Sequence, residues 1–595
     1  MTNDPAAPTG TPPSQAPHHS PSSPGIVRSS ASGAAPRSPL APRGRWTGIV
    51  GGAALISGVT VVARVAGFAR WGVFSPTVGS TALGDAYTAA NTIPNVLFEV
   101  VAGGGLAVAL VPLLAGSLAS GRREQAARTA SGLATWTLAV LVPLAVAVAV
   151  CADPIVSLLM SGPGDAATRH VAARLLVTFA PQIPLYGIGL VLAGTLQADR
   201  RFFWPACAPL LSSLTVIGVY GVFGQLTGSG HGDPAAVSEG AIAWLGWGTT
   251  AGVAVLTVPL IIPVIRGGLP LRPTFRVDPG IARRSLGLAG AGMGALIAQQ
   301  VSVVAVMWLA LARGGIGALP TYSYTQAIYV LPYAVLVIPL VTAAFPHVAA
   351  YADQSDDAAL RATAAATGRA VGALAVLGAA VLIAAAPAVE RVFSSIDLSG
   401  RVVGLAEALT WFAPGLVGFA LVAHATRILY TVRRARVAVG WSAAGWLGVA
   451  VAGTVAVFAW TSHGPDSVGV LRGLGAGSSI GMTMAATGLV LALRRAVGAG
   501  AVAGLGRTLT GGVVAATLGA IAGRAAAAAV AVRLGGPRRV PSVGADGLLS
   551  GDGLAGVDAW AALAGGAVGA VVAAVIVGGA AVAADKSILR TLRRL

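Results

Sequence analysis

The chain has 595 residues, of which 55% are hydrophobic and only 10% charged, with two cysteines and a formal net charge of +18. Water-soluble domains carry about 25% charged residues, so this composition excludes an ordinary soluble enzyme, and two cysteines exclude a disulfide framework or a cysteine metal motif. The positive charge is almost entirely arginine, Lys586 being the only lysine. Because it is dispersed between apolar runs rather than gathered on one soluble domain, it argues against nucleic-acid binding.

Residues 1–45 are rich in Pro, Ser and Ala and show no apolar period. Such a segment cannot bury a core and reads as a disordered cytoplasmic tail, not as a signal peptide. Apolar runs of roughly 20 residues or more, the length needed to span a bilayer, then follow almost without pause. They fall at about 47–75, 83–118, 129–160, 168–198, 203–225, 240–265, 281–312, 318–351, 366–394, 402–432, 436–461, 468–494, 508–533 and 557–584. Backbone polar groups in lipid must pair within their own segment, so these runs predict an all-α integral membrane protein of about fourteen helices. Cys151 and Cys207 lie in apolar surroundings and are expected to be small buried hydrophobes.

Arginines cluster after every second run: Arg122, Arg123 and Arg128, then Arg200 and Arg201, then Arg266, Arg272, Arg276, Arg283 and Arg284, then Arg433, Arg434 and Arg436, then Arg494, Arg495 and Arg507. The loops at 76–82, 226–239 and 462–467 contain no Arg or Lys. This alternation places both termini on the cytoplasmic side, and only Arg533, Arg538 and Arg539 run against it. A short internal repeat accompanies the pattern. Ala54-Leu55-Ile56 matches Ala295-Leu296-Ile297, and Tyr87-Thr88 before Pro94 matches Tyr324-Thr325 before Pro332. It suggests two tandem six-helix lobes, 46–266 and 281–495, with an extra helix pair at 508–585 and a basic cytoplasmic end at 586–595.

A charge at bilayer depth costs about 2.5–3.5 kcal/mol on insertion scales, so intramembrane ionisable residues are candidates for function. Arg64 and Arg70 in the first run are read as cations facing a hydrated cavity that holds an anion; the alternative pairs Arg64 with Glu99 and lets Arg70 snorkel. Six residues set the two about 240° apart on a straight helix, so sharing one cavity needs a wide cavity or a bend at Gly67. Asp85, Asn95 and Glu99 in the second run complete the candidate substrate contacts. Gly67, Pro94, Gly103 and Gly104 are candidate hinges, with close helix packing as the alternative. Gln299, Gln300 and Gln326 are expected to bond between helices, and His424 and Arg427 to sit at a solvated helix end. Arg524 has no account from sequence. No Walker loop, HExxH or nucleophile elbow is present, and no metal site or cofactor is expected.

The segment Ala63-Arg64-Val65-Ala66-Gly67-Phe68-Ala69-Arg70, followed by Asp85-Ala86-Tyr87, Ile93-Pro94-Asn95 and Val111-Pro112-Leu113-Leu114-Ala115, resembles the opening of the MurJ/MviN-type lipid II flippases. Tyr324 to Pro332 and Phe345-Pro346 resemble that family's eighth helix. The resemblance implies two six-helix lobes around a cationic cavity, with two extra helices forming a groove for a polyprenyl tail. It further implies that lipid II, or a related polyprenyl-diphosphate-linked glycan, is flipped across the bacterial cytoplasmic membrane by alternating access. Membrane lipids, and proteins of cell-wall synthesis, would be the other partners. Arg64 and Arg70 match the family's cavity arginines. Three positions depart from the pattern: Phe98-Glu99 replaces an arginine pair, Val101-Ala102-Gly103-Gly104 lacks an acid, and Thr325-Gln326-Ala327 lacks a third cavity arginine. Competing expectations are an exporter of another polyprenyl-linked glycan or of a small organic cation, and a transport-dead scaffold or regulator of cell-wall synthesis. A polyprenyl-phosphate glycosyltransferase would need an acidic motif in the large outer loops, and none is found.

Overall fold

A computed structural model describes residues 43–103, 106–160, 166–228, 232–276, 279–400, 402–535 and 555–585. The expected tail lies outside these residues apart from its last three, which begin the first helix, and the basic segment 586–595 lies outside them as well. The backbone divides into Met1–Ala54 and Leu55–Leu595, and the second unit holds the features that follow.

Among the described residues every regular element is helical. In chain order they are α1 (Arg43–Thr77), α2 (Ala82–Phe98), a π-helical segment (Glu99–Gly103), α3 (Leu106–Ala119), α4 (Arg123–Val150), α5 (Ala152–Leu159), α6 (Ala166–Phe179), α7 (Gln182–Ala198), α8 (Phe203–Thr227), α9 (Glu239–Thr257) and α10 (Ile261–Arg266). The second half follows as α11 (Pro279–Arg313), α12 (Ala318–Pro332), a second π-helical segment (Tyr333–Val337), α13 (Ile338–Asp353), α14 (Asp357–Ile396), α15 (Leu405–Thr431), α16 (Ala435–Trp460), α17 (Ser467–Val497), α18 (Leu505–Gly535) and α19 (Ala555–Ala584). Side-chain caps begin several of them. Thr81 Oγ1 accepts from Gly84 N–H at 3.1 Å, Asp356 from Ala359 at 3.0 Å, and Asp466 from Val468 and Gly469 at 3.0 and 2.9 Å. Each satisfies N–H groups that the first helical turn leaves open.

Twelve helical stretches among the described residues are long and apolar enough to cross a bilayer. They fall one for one on the third to the fourteenth expected runs. The first two expected runs are occupied by α1 and by α2 to α3, with residues 104–105 between them outside the description. Several runs expected as single helices are broken where the sequence supplies a reason. Pro181 separates α6 from α7, and Pro94 and Pro332 each withhold a backbone N–H shortly before a π-helical segment. The first π segment begins five residues after Pro94 and the second directly after Pro332.

In the first half α2 packs on α6, α3 and α4 on α7, and α8 on α9. In the second, α14 packs on α15, α15 and α16 on α17, and α11 on α16. Close crossings explain part of the glycine content. A Cβ on Gly477 of α17 would lie 2.3 Å from the Cα of Gly453 on α16, nearer than any side chain permits, so the two helices meet backbone to backbone.

The pair α18 and α19 packs against α14, and here Arg524 finds its account. Pro387 stands inside α14 and offers no N–H to the carbonyl of Ile383, four residues earlier. Arg524 Nε donates to that carbonyl at 2.9 Å, and its Nη2 donates to Thr410 Oγ1 on α15 at 2.5 Å. An arginine thus fills the acceptor that a proline leaves open. Arg524→Gln is expected to lower the melting temperature of the purified protein. In a Pro387→Ala background, where the helix supplies its own N–H, the same change should lower it less. Strict additivity of the two melting shifts would contradict this pairing.

Three expectations are corrected. Cys151 is exposed and Cys207 only half-buried, because apolar neighbours in a membrane chain mark lipid-facing surface as readily as core. His424 is buried, its Nε2 3.3 Å from the carbonyl of Ala364, so it is a packed residue of α15 and not a solvated helix end. Gln326 Nε2 donates to Tyr322 OH at 2.5 Å within its own helix and not between helices.

Candidate functional site

The two halves of Leu55–Leu595 meet where α1 turns into α2, α11 into α12 and α14 into α15. An aromatic cluster fills this end. Phe74 stacks edge-on against Trp71 at 5.4 Å and Tyr220 at 5.4 Å, Trp71 against Tyr324 at 5.6 Å, and Tyr324 lies 4.9 Å from Phe393. Such pairs add about 0.5–1.5 kcal/mol each beyond the burial of their area.

Two buried carboxylates tie the same end together. Asp85 on α2 accepts from the backbone N–H of Gly317 at 2.6 Å and of Leu319 at 3.2 Å, and so caps the first turn of α12 from across the interface. Gly317 is required there: its φ is +81°, and a Cβ would lie 2.2 Å from the carbonyl oxygen of Ser80. Asp397, just past α14, accepts from Ser75 Oγ at 2.7 Å, Tyr324 OH at 3.0 Å, Ser80 N–H at 3.0 Å and Ser399 Oγ at 2.7 Å. The backbone adds Leu398 N–H to Ser75 carbonyl at 2.9 Å, and Ser80 Oγ stands 3.3 Å from Thr321 Oγ1. Charge-assisted bonds of this kind are the strong ones, and here they join elements of both halves.

Directly beneath this seal lies a cavity of about 500 Å³ between α1 and α12, lined by Arg64, Gly67, Phe68 and Trp71 on one side and by Tyr322, Gln326 and Ala327 on the other. The α1 residues recur every three or four positions and so form one face of the helix. Trp71 belongs to both features: it lines the cavity and packs into the aromatic cluster, and so roofs the one with the other. Arg64 is therefore a cation on a cavity wall. Among the described residues no ion pair involves Arg64, Arg70 or Glu99, so the alternative pairing of Arg64 with Glu99 is not formed.

The other candidates are dispersed. Helix α1 runs unbroken through Gly67, and Arg70 accordingly faces elsewhere. Its guanidinium lies 5.7 Å from the centroid of the Trp71 ring. Asn95 donates to the carbonyl of Asn91 at 2.8 Å and interacts with Tyr186. Glu99 is half-buried and opens the first π segment, which Gly103 closes; Gly104 lies outside the described residues. Pro94 is buried in α2. The structure thus places Arg64 and Gly67 at the cavity and Asp85 in the seal; Arg70 stands against Trp71 without lining the cavity, and Asn95 and Glu99 are not in its lining either. Sequence reasoning missed Asp397, a lone carboxylate at a helix end with no motif around it. It also missed Trp71, whose neighbour Arg70 drew the attention.

The family model described as lipid II flippase MurJ matches residues 74–533; Arg64 and Arg70 stand just before that stretch. A probable lipid II flippase MurJ of Synechocystis sp. is 29% identical over 232 residues, covering 38% of this chain and 43% of that protein. One of Rhizobium tropici is 26% identical over 303 residues, covering 49% of this chain and 54% of that protein. The chain therefore matches about half the length of these curated relatives. Among solved structures, lipid II flippase MurJ in an inward closed conformation superposes with a TM-score of 0.61 at 15% identity, covering 79% of this chain and 92% of that one. An inward-facing multidrug resistance MATE family transporter of the MOP superfamily gives 0.60 at 15% identity, covering 75% and 98%. Both likenesses concern the fold.

Proposed function

The chain belongs to the lipid II flippase MurJ family and is a multi-pass membrane protein, and from this we propose that it flips lipid II across the bacterial cytoplasmic membrane by alternating access. The family match over residues 74–533 carries the reading. The geometry supports it. The diphosphate of the head group enters the cavity and meets Arg64, while the polyprenyl tail stays in lipid along the extra pair α18 and α19. The lobes 46–266 and 281–495 then rock about the π-helical segments. This parts the Asp85 and Asp397 contacts, which form the outer seal, and the head group leaves outside. A cation cargo is disfavoured because Arg64, without a carboxylate partner, repels it. Expression of the chain in a bacterium depleted of its own lipid II flippase should restore growth, and failure at normal abundance would count against the reading.

A second reading, a transport-dead scaffold of cell-wall synthesis, is favoured by one observation: Ala327, where the resemblance leads one to expect an arginine, lines the cavity. Orientation follows from the arginine bias, with both termini cytoplasmic. Reporter fusions at His231 and Arg434 are expected to report outside and inside respectively, and the reverse at either position would contradict the topology.

A further inference from the structure

We infer that the cavity beneath the seal recognises the sugar joined to the substrate diphosphate, with Phe68 and Trp71 of α1 as its stacking surface and the Tyr322–Gln326 pair of α12 as its hydrogen-bonding wall. The inference rests on the flippase reading and deepens it: these residues separate a glycosylated carrier from a bare polyprenyl diphosphate.

The cavity carries charge on one wall only. Arg64 stands on α1, and the α12 wall opposite contributes no charged residue to the lining. The volume of about 500 Å³ is in the range that encloses a whole small-molecule ligand, more than a diphosphate alone fills. An anionic group held at Arg64 therefore leaves the rest of the lining to a larger, neutral group.

The order along the helices fits that group. Phe68 and Trp71 follow Arg64 on the same face toward the seal, about 6 and about 10 Å further along the axis. Phe68 is 36% exposed and packs on no other ring among the described residues. The ring contacts of Trp71 with Phe74 and Tyr324 are near-perpendicular, at 78° and 80°, so neither ring is stacked flat on it. The contact between Trp71 and Tyr324 also fixes the level on α12, because Tyr324 lies between Tyr322 and Gln326 in that helix. Gln326 Nε2 donates to Tyr322 OH at 2.5 Å. The hydroxyl keeps its own hydrogen to donate, and the Gln326 amide keeps its carbonyl and a second N–H.

A sugar is amphipathic in the matching way. Its C–H face packs on aromatic rings through dispersion and apolar burial. Its hydroxyl groups need donors and acceptors, as Tyr322 and Gln326 present. A bare diphosphate leaves that polar pair without a ligand partner, and a site built to bond a hydroxyl rejects the analogue that lacks it. Ala327 on the same wall, where the resemblance leads one to expect an arginine, suits a neutral ligand group as well.

The test uses the full chain in lipid nanodiscs, with retained ligand counted by native mass spectrometry. The probes are a polyprenyl diphosphate and the same polyprenyl diphosphate carrying one N-acetylglucosamine, offered together. Wild type should retain the glycosylated form in roughly tenfold excess or more. Phe68→Leu and Gln326→Leu should each lower that ratio severalfold while retention of the bare form stays near wild type, and Arg64→Ala should weaken both forms alike. Trp71→Leu should lower the ratio too; because Trp71 also packs in the aromatic cluster, Phe68→Leu and Gln326→Leu decide if that variant fails to fold. Equal retention of the two forms by wild type would overturn the inference, and so would folded Phe68→Leu and Gln326→Leu variants that keep the wild-type ratio. A chain that restores growth to the flippase-depleted strain yet shows no preference overturns this site alone. A chain that shows the preference, and its loss in the variants, but moves no lipid II overturns the flipping and leaves the site standing.

Discussion

Arg64→Ala is expected to leave the protein folded and abundant and to abolish translocation. Arg64 lines the cavity beneath the aromatic roof and forms no ion pair among the described residues, so its removal leaves no buried carboxylate unpaired. Breaking a buried pair would instead cost about 3–5 kcal/mol of stability. The loss should therefore fall on the substrate. A hydrogen bond to a charged group contributes about 1.5–3 kcal/mol, which is roughly a 10- to 150-fold effect. Arg64→Lys should rescue in part, since it restores the charge without the bidentate fork. Arg70→Ala should have a smaller effect on transport, because Arg70 lies against the ring of Trp71 and is not in the lining of this cavity. Complementation scored beside protein level separates these outcomes. Full complementation by the Arg64→Ala, Arg70→Ala double variant at normal abundance would favour the scaffold reading.

The second large effect concerns the seal. Ser80 Oγ and Thr321 Oγ1 are 3.3 Å apart and belong to opposite halves. Cysteines at both positions, in a chain whose Cys151 and Cys207 have been replaced, are close enough for a disulfide to form with little backbone movement. Oxidation should stop transport almost completely, and a reductant should restore it, because the lobes cannot part while the bond holds. Transport that persists in the fully cross-linked protein would show that this end does not open. Asp397→Ala should act in the opposite sense. It strands the donors of Ser75, Ser80 and Tyr324 in a buried place, at about 1–3 kcal/mol each, and so should loosen the closed state.

These two predictions draw on features that differed in how visible they were in the sequence. The helices were legible because apolar length is a direct consequence of bilayer thickness, and twelve of the expected runs coincide with membrane-length helices. Arg64 was legible because a cation at membrane depth is rare enough to demand a reason. That Arg70 points elsewhere was foreshadowed by helical geometry, since six residues on an unbroken helix cannot return to the same face. Asp85 was found as a residue but not as a cap, because its partners are backbone N–H groups of a turn more than two hundred residues away. Asp397 and the Arg524–Pro387 pairing were invisible for the same reason. Each depends on an acceptor or donor that only the tertiary arrangement brings near, and a proline four residues after a carbonyl acquires meaning only when an arginine from another helix stands beside it.

The most direct test of the central claim is the amount of lipid II reachable from outside the cell when this chain is depleted from its own host. The account predicts that externally accessible lipid II falls while total lipid II rises, and that the native chain, but not Arg64→Ala, restores the distribution. Unchanged external accessibility during full depletion, with no other flippase induced, would contradict it.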